Sequence, residues 1–196
     1  PGGSSSGSGA SVAAGMVFGS MGSCTGGSIR GPAAHCGLAG LKPTYGLISR
    51  FGVFPLSWSL DHTGPLTRTV EDCALMLQAT AGYDSKDPSS VKGRFSNYAS
   101  CLTGDIKGVR VGIPEELNNG ASAEVSDLVR KAIGTLSDLG ASVENVSLPI
   151  TNKYADAAGT IIIWSEAAQI HSQWFNRLKE YTIGVQQKLL LGSIIS

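Results

Sequence analysis

Apolar positions recur at helical spacing most clearly between Ala123 and Leu139. Val125, Leu128, Val129, Ala132, Ile133, Leu136 and Leu139 share one face there, and Gly140 follows as a stop. Strand-like alternation flanks this helix, in Val109 to Pro114 before it and in Ala141 to Leu148 after it. Strand, helix and strand within about 40 residues predict a βαβ unit whose strands pair in parallel. A second helix is predicted where Thr69-Val70-Glu71-Asp72 forms a capping box ahead of the apolar stripe Cys73 to Ala79. Gly82 sits where its C-terminal cap belongs. Ala10 to Phe18 is small and apolar, which predicts a tightly packed buried helix. Gly19 to Ile29 reads as a loop, Pro32 to Cys36 as a short helix, and Leu41 to Gly46 and Arg50 to Gly52 as turns between short strands. Asp84 to Ser100 is polar and reads as a surface connection. From Ala155 onward the pattern is helical, with Trp164, Ile170 and Trp174 packing.

These elements describe one α/β domain over 1–196, with a core in 1–90 and a βαβ and helical region in 105–196. The chain begins inside a Gly/Ser run without an initiator Met and ends without a cap at Ser196, so it reads as a domain truncated at both ends. An apolar fraction of 42% is ample for a core, and no apolar run approaches the roughly 18 residues of a membrane span. Lys plus Arg and Asp plus Glu balance at 15 each, which removes the electrostatic case for nucleic acid or an acidic membrane surface. Cys24, Cys36, Cys73 and Cys101 lack the spacing of a zinc site or redox pair, so reduced thiols in a cytoplasmic protein without a metal are expected.

Chemistry concentrates in the first quarter of the chain. Residues 1–52 hold 14 of the 26 glycines and only three charges, Arg30, Lys42 and Arg50; the first carboxylate is Asp61. Serine hydroxyls and backbone amides embedded in glycine can approach a substrate closely, and no local Asp or Glu is available as a base. Such a composition suits an oxyanion better than a metal cation. Several other readings compete. Gly3-Ser4-Ser5-Ser6-Gly7 matches the G-x-S-x-G elbow of α/β-hydrolases, but no apolar strand precedes it, and His35, His62 and His171 have no distinctive surroundings as bases. Neither G-x-x-x-x-G-K-[ST] nor a strand-bound G-x-G-x-x-G is present to cradle phosphate. A flexible linker is opposed by the apolar insertions Val12-Ala13-Ala14 and Met16-Val17-Phe18.

Four stretches carry a more specific signal: Pro1-Gly2-Gly3-Ser4-Ser5-Ser6-Gly7-Ser8, Gly26-Gly27-Ser28-Ile29-Arg30, Cys36 to Gly46, and Ser59-Leu60-Asp61-His62-Thr63-Gly64-Pro65-Leu66. In order and spacing they closely resemble the amidase signature family. The resemblance implies a mixed-sheet α/β/α sandwich, present here as an incomplete fragment, and a Ser–cis-Ser–Lys mechanism that needs no cofactor. Ser28 matches the nucleophile. Ser4 matches the serine that follows a cis peptide bond and relays a proton. The amides of Thr25, Gly26, Gly27 and Ser28 match the oxyanion hole.

The family's catalytic lysine lies upstream of residue 1, so the chain by itself is expected to be inactive. Lys42 belongs to a Leu-Lys-Pro-Thr turn and reads as structural. Arg30 reads as a brace for the Ser28 loop, Asp61 as structural and His62 as unassigned. Cys24 and Ser6 stand where many members have Asp and Gly. The implied activity is hydrolysis of a small-molecule carboxamide through an acyl-enzyme. The alternatives are the A subunit of a glutamyl-tRNA amidotransferase and a catalytically silent scaffold. Ser-Leu-Asp-His in place of Ser-Leu-Asp-Gln tilts the reading toward a stand-alone amidase. The implied partners are a second copy of the chain or another component of an amidotransferase, with no direct contact to nucleic acid or membrane.

Overall fold

Residues 62–67 form the strand around which the first part of the molecule is built. The computed structural model describes residues 1–93, 96–114, 116 and 120–195. It divides into two compact units, one of Pro1–Leu102 with Thr160–Ser196 and one of Thr103–Gly159.

In the first unit, the chain enters through helix α1 (Ser6–Ala13) and strand β1 (Gly19–Cys24), then passes through α2 (Arg30–Cys36) and β2 (Ala39–Gly40). Strand β3 (His62–Thr67) follows, then α3 (Val70–Thr80). β3 lies between β1 and β2 and pairs with both in antiparallel register, Gly22 opposite Gly64 and Gly40 opposite Leu66. Val12, Cys24, Ile29, Ala33 and Leu66 form the buried centre.

Two expectations are corrected here. Six residues of the supposed loop Gly19–Ile29 are strand β1, because the buried strand β3 supplies its ladder. A Cβ at Gly22 would come within 2.7 Å of Ser5 Oγ and 2.8 Å of Leu66 Cδ1, so small residues are what permit this packing. The first helix, in turn, covers Ser6–Ala13 and buries only Gly9 and Val12. Gly15 takes a left-handed φ of 71° just beyond it, and Met16 and Phe18 are left 77% and 86% exposed.

Helix α3 begins as expected. Thr69 Oγ1 accepts from the Asp72 amide at 3.0 Å and donates to the Asp72 carboxylate at 2.8 Å. Gly82 does not cap its end: Ala81 is already extended, and the Gly82 amide donates to Leu47 O at 3.1 Å. The stretch Asp84–Ser100 includes residues 94 and 95, outside the described set. Its Asp87 is only 5% exposed and accepts from the Arg50 amide at 2.7 Å, so part of the connection is tied into the unit.

The second unit holds the predicted βαβ. β4 (Arg110–Pro114) and β5 (Ser142–Val146) pair in parallel across α4 (Ala123–Asp138). Ser122 caps α4 by accepting from the Val125 amide, and Gly140 follows it with φ 96°. Among the described residues the antiparallel and parallel strands lie in separate sheets of an α/β fold. Helix α5 (Pro149–His171) starts six residues before Ala155, and its residues from Thr160 onward belong to the first unit. There a 3-10 segment (Ser172–Glu180) and α6 (Ile183–Ser193) complete the chain, and Trp164, Ile170 and Trp174 are partly buried. α6 packs so closely on α5 that a Cβ at Gly192 would overlap the Trp164 carbonyl. Among the described residues no helix is long and apolar enough to cross a membrane.

Candidate active site

The Gly2-Gly3-Ser4-Ser5 segment runs against the start of α2. The Ser5 amide donates to Ser28 O at 3.2 Å, and a Cβ at Gly2 would meet Pro32 N at 3.2 Å and His35 Cδ2 at 2.9 Å. Gly2 has φ +76°, so glycine is required there by both backbone and space. The Gly3–Ser4 peptide bond is cis. Ser5 is fixed to the end of β1: its hydroxyl donates to Ser23 O at 3.1 Å and accepts from Ser23 N at 3.2 Å. Two serine segments 24 residues apart in sequence therefore meet at one place. Ser4 is exposed and Ser28 half-buried. Ser4 lines a cleft of about 350 Å³ with Ser5, Ser23, Val53 and Thr63, while Ser28 does not line it.

Between β1 and α2 the chain makes a tight loop at Thr25–Ser28. Gly27 adopts φ +142°, and its carbonyl accepts from the Gly31 amide at 2.8 Å. The loop's carbonyl is thereby turned into α2. Among the described residues, the amides of Gly26, Gly27 and Ser28 donate to no backbone or side-chain acceptor. Three successive free N–H groups beside a serine hydroxyl can receive a developing negative charge.

The loop is held at Thr25 by Asp61. Thr25 Oγ1 donates to Asp61 Oδ1 at 2.6 Å, and the Leu56 and Ser57 amides donate to Asp61 Oδ2 at 2.8 and 3.0 Å. Asp61 is 7% exposed. Its structural reading stands, but its bond to Thr25 was not visible in the sequence, since 36 residues separate the two. Arg50 secures the same region. Its guanidinium donates to Trp58 O at 2.9 Å, Asp61 O at 3.2 Å, Tyr45 Oη at 2.8 Å and Ser89 Oγ at 3.2 Å.

Other singled-out residues fall outside this arrangement. Arg30 is exposed at the start of α2 and, among the described residues, makes no ion pair or side-chain hydrogen bond; the bracing expected of it is supplied by Asp61. Lys42 Nζ donates to Pro43 O at 2.6 Å, within its own turn. Cys24 is fully buried against Ile29, Ala33 and Leu66, so it packs the core and is closed to substrate. Ser6 opens α1. His62 Nδ1 is bonded to Leu60 O at 2.6 Å, and burial pushes the ring below its ordinary pKa of 6.5. His171 pairs with Tyr181 Oη at 2.9 Å. Among the described residues no histidine is hydrogen-bonded to Ser4 or Ser28, and no cluster of three His, Cys, Asp or Glu could hold a metal.

Comparison with known proteins shows the family. The Amidase family model matches residues 1–192. Over 169 residues, 86% of the chain, the sequence is 53% identical to the A subunit of glutamyl-tRNA(Gln) amidotransferase from Exiguobacterium sibiricum, covering 35% of that protein. The solved A subunit of the Thermotoga maritima glutamyl-tRNA(Gln) amidotransferase matches with a TM-score of 0.82 and 37% identity, over 98% of this chain and 41% of that one. A structure of a vestigial protein complex, bearing on the origins of an s-triazine catabolic enzyme, matches with a TM-score of 0.91 and 37% identity over the same shares. The chain spans about a third of the length of the curated relatives it matches. With the Gly-Ser segments, the free-amide loop and a match over nearly all of its residues, the chain belongs to the amidase family.

Proposed function

We propose that the whole protein cleaves a carboxamide C–N bond through an acyl-enzyme on Ser28. The observation that carries this reading is the loop Thr25–Ser28, whose successive free amides stand beside the Ser28 hydroxyl and are locked by Asp61. Ser28 Oγ attacks the carbonyl carbon. The amides of Thr25, Gly26, Gly27 and Ser28 receive the tetrahedral oxygen. Each such donor contributes roughly a factor of 10²–10³. Ser4 passes the proton from Ser28 toward a lysine supplied by the preceding part of the protein. The same proton then returns to the leaving nitrogen, which departs as ammonia or an amine. Water enters by the reverse path and frees the carboxylic acid. A neutral lysine suits this role, because burial lowers its pKa. Neither metal nor cofactor takes part. Both compact units belong to one amidase domain acting in the cytoplasm.

A second reading assigns the acyl-enzyme a narrower purpose. The 53% identity to the A subunit of an amidotransferase favours glutamine as the amide and a partner protein as the recipient of ammonia, over the stand-alone amidase that His62 suggested. Purified whole protein is tested against glutamine and an activated aryl amide, with and without Ser28→Ala. Loss of turnover with retained folding supports the nucleophile assignment. Glutaminase activity that appears only with a co-purified second protein supports the second reading. A folded wild-type protein inert toward both substrates supports a silent scaffold.

A further inference from the structure

Helix α5 approaches the Thr25–Ser28 loop at one point and the segment that holds it at another, about one turn further on. A Cβ at Gly26 would lie 3.5 Å from Ile163 Cδ1, so the side chain of Ile163 already closes on that residue of the loop. Three residues further on, Glu166 reaches the segment that holds Asp61. Its Oε2 accepts from Ser57 Oγ at 2.6 Å and from Ser59 N at 3.1 Å, and its Oε1 accepts from Ser59 Oγ at 2.6 Å. Residues three apart on a helix share a face, so the apolar and polar contacts register α5 against both sides of one structure.

The connection continues without a gap. Ser57 is completely buried, and its backbone is closed onto Asp61 in both directions. The Ser57 amide donates to Asp61 Oδ2 at 3.0 Å, and Ser57 O accepts from the Asp61 amide at 2.8 Å. Asp61 Oδ1 then takes the Thr25 hydroxyl at 2.6 Å. Glu166 has three neutral donors and, among the described residues, no salt bridge. Its burial opposes ionisation, but the hydrogen bonds from Ser57 and Ser59 outweigh that and hold its pKa below the ordinary 4.5. A carboxylate placed this way fixes neutral donors in space, with charge-assisted bonds stronger than neutral ones.

We propose that Glu166 is a positioning residue for the amide-cleaving reaction, acting through Ser57, Asp61 and Thr25 to set where the free amides of the Thr25–Ser28 loop point. This rests on the reading of that loop as the oxyanion site. Glu166 touches no reacting atom. Its effect is on transition-state binding, because the amides meet full negative charge only there.

The test uses the whole protein and an activated aryl amide, with kcat expressed per folded molecule. Glu166→Ala is expected to lower kcat about 10-fold while KM stays within about 2-fold. Glu166→Gln, whose carbonyl can still take the Ser59 amide and Ser57 hydroxyl while its amide group donates to Ser59 Oγ, is expected to keep most of kcat. The losses in Glu166→Ala and Thr25→Ala should not add in the double variant, since both act on one loop. If Glu166→Ala does not fold, the exposed Ser59→Ala, paired with Thr25→Ala in the same cycle, carries the test. Unchanged kcat per folded molecule, or strictly additive losses, overturns the proposal. A Ser28→Ala protein that remains active instead removes the oxyanion reading itself, which separates the two failures.

Discussion

Replacing Asp61 tests how the candidate site is held. Three donors converge on its carboxylate: Thr25 Oγ1 at 2.6 Å, Leu56 N at 2.8 Å and Ser57 N at 3.0 Å. Hydrogen bonds to a charged group contribute about 1.5–3 kcal/mol each, and a buried amide left without an acceptor costs about 1–3 kcal/mol. These figures are not additive, because the Leu56 and Ser57 amides share one oxygen. Asp61→Ala is therefore expected to destabilise the protein by about 4 kcal/mol, at the upper end for a single substitution. Asp61→Asn keeps a carbonyl for the two amides and turns its NH₂ toward Thr25 Oγ1, which can accept. Its expected cost is about 1 kcal/mol, the difference between charge-assisted and neutral bonds. Urea unfolding of the whole protein gives both values. Activity per folded molecule should fall in Asp61→Ala, where Thr25 loses its anchor, and less in Asp61→Asn, where Thr25 keeps a weaker neutral one. An alanine variant within about 1 kcal/mol of wild type, or an asparagine variant as unstable as the alanine one, would show that Asp61 does not hold this loop.

Two further outcomes follow from packing and burial. At Gly64 in the central strand, a Cβ would overlap Leu41 O and press on Pro43 Cδ at 3.0 Å and Ile29 Cδ1 at 3.1 Å. Gly64→Ala should cost about 2–3 kcal/mol in urea unfolding, whereas Gly134→Ala in α4, with open space around its Cβ, should gain up to about 1 kcal/mol. Equal effects at the two sites would contradict the packing. His171, edge-on to Tyr181 and beside Phe54 and Trp174, is pushed by burial below its ordinary pKa of 6.5. The unfolded chain thus binds this proton more readily, so stability is full above pH 6.5 and declines as pH falls through 6.5 toward the lower folded value. His62 contributes with the same sign. Melting temperature should drop between about pH 7.5 and 5.5, and less steeply in His171→Phe; a flat or rising profile would oppose this.

Legibility followed the range of the interactions. The βαβ unit and helix α3 could be read because their signals are local: apolar spacing in Val125 to Leu139, and a cap whose partners Thr69 and Asp72 are only three positions apart. Strand β1 could not, because Gly-Ser-Met-Gly-Ser-Cys has no β-branched residue and becomes a strand through pairing with residues about 40 positions away. The same limit applied to the site. Ser4 and the residues from Thr25 to Ser28 were marked by motifs, whereas what holds them was not. The Thr25–Asp61 bond spans 36 residues, and the Ser57–Glu166 bond spans 109. Glu166 lies in a helical stretch with nothing local to set it apart. Arg30 is a lone cation in an uncharged segment, yet its side chain is exposed and unpaired among the described residues, while buried Asp61 bonds the loop at Thr25.

The most direct test of amide cleavage at Ser28 is a comparison of wild type and Ser28→Ala in the whole protein, reading both turnover of an activated amide and the mass of the protein trapped during turnover. The wild type should gain the mass of one acyl group, losable to water, and Ser28→Ala should fold normally with no adduct and no turnover. Full activity in that variant, or an acyl group mapped to a residue other than Ser28, would contradict the assignment.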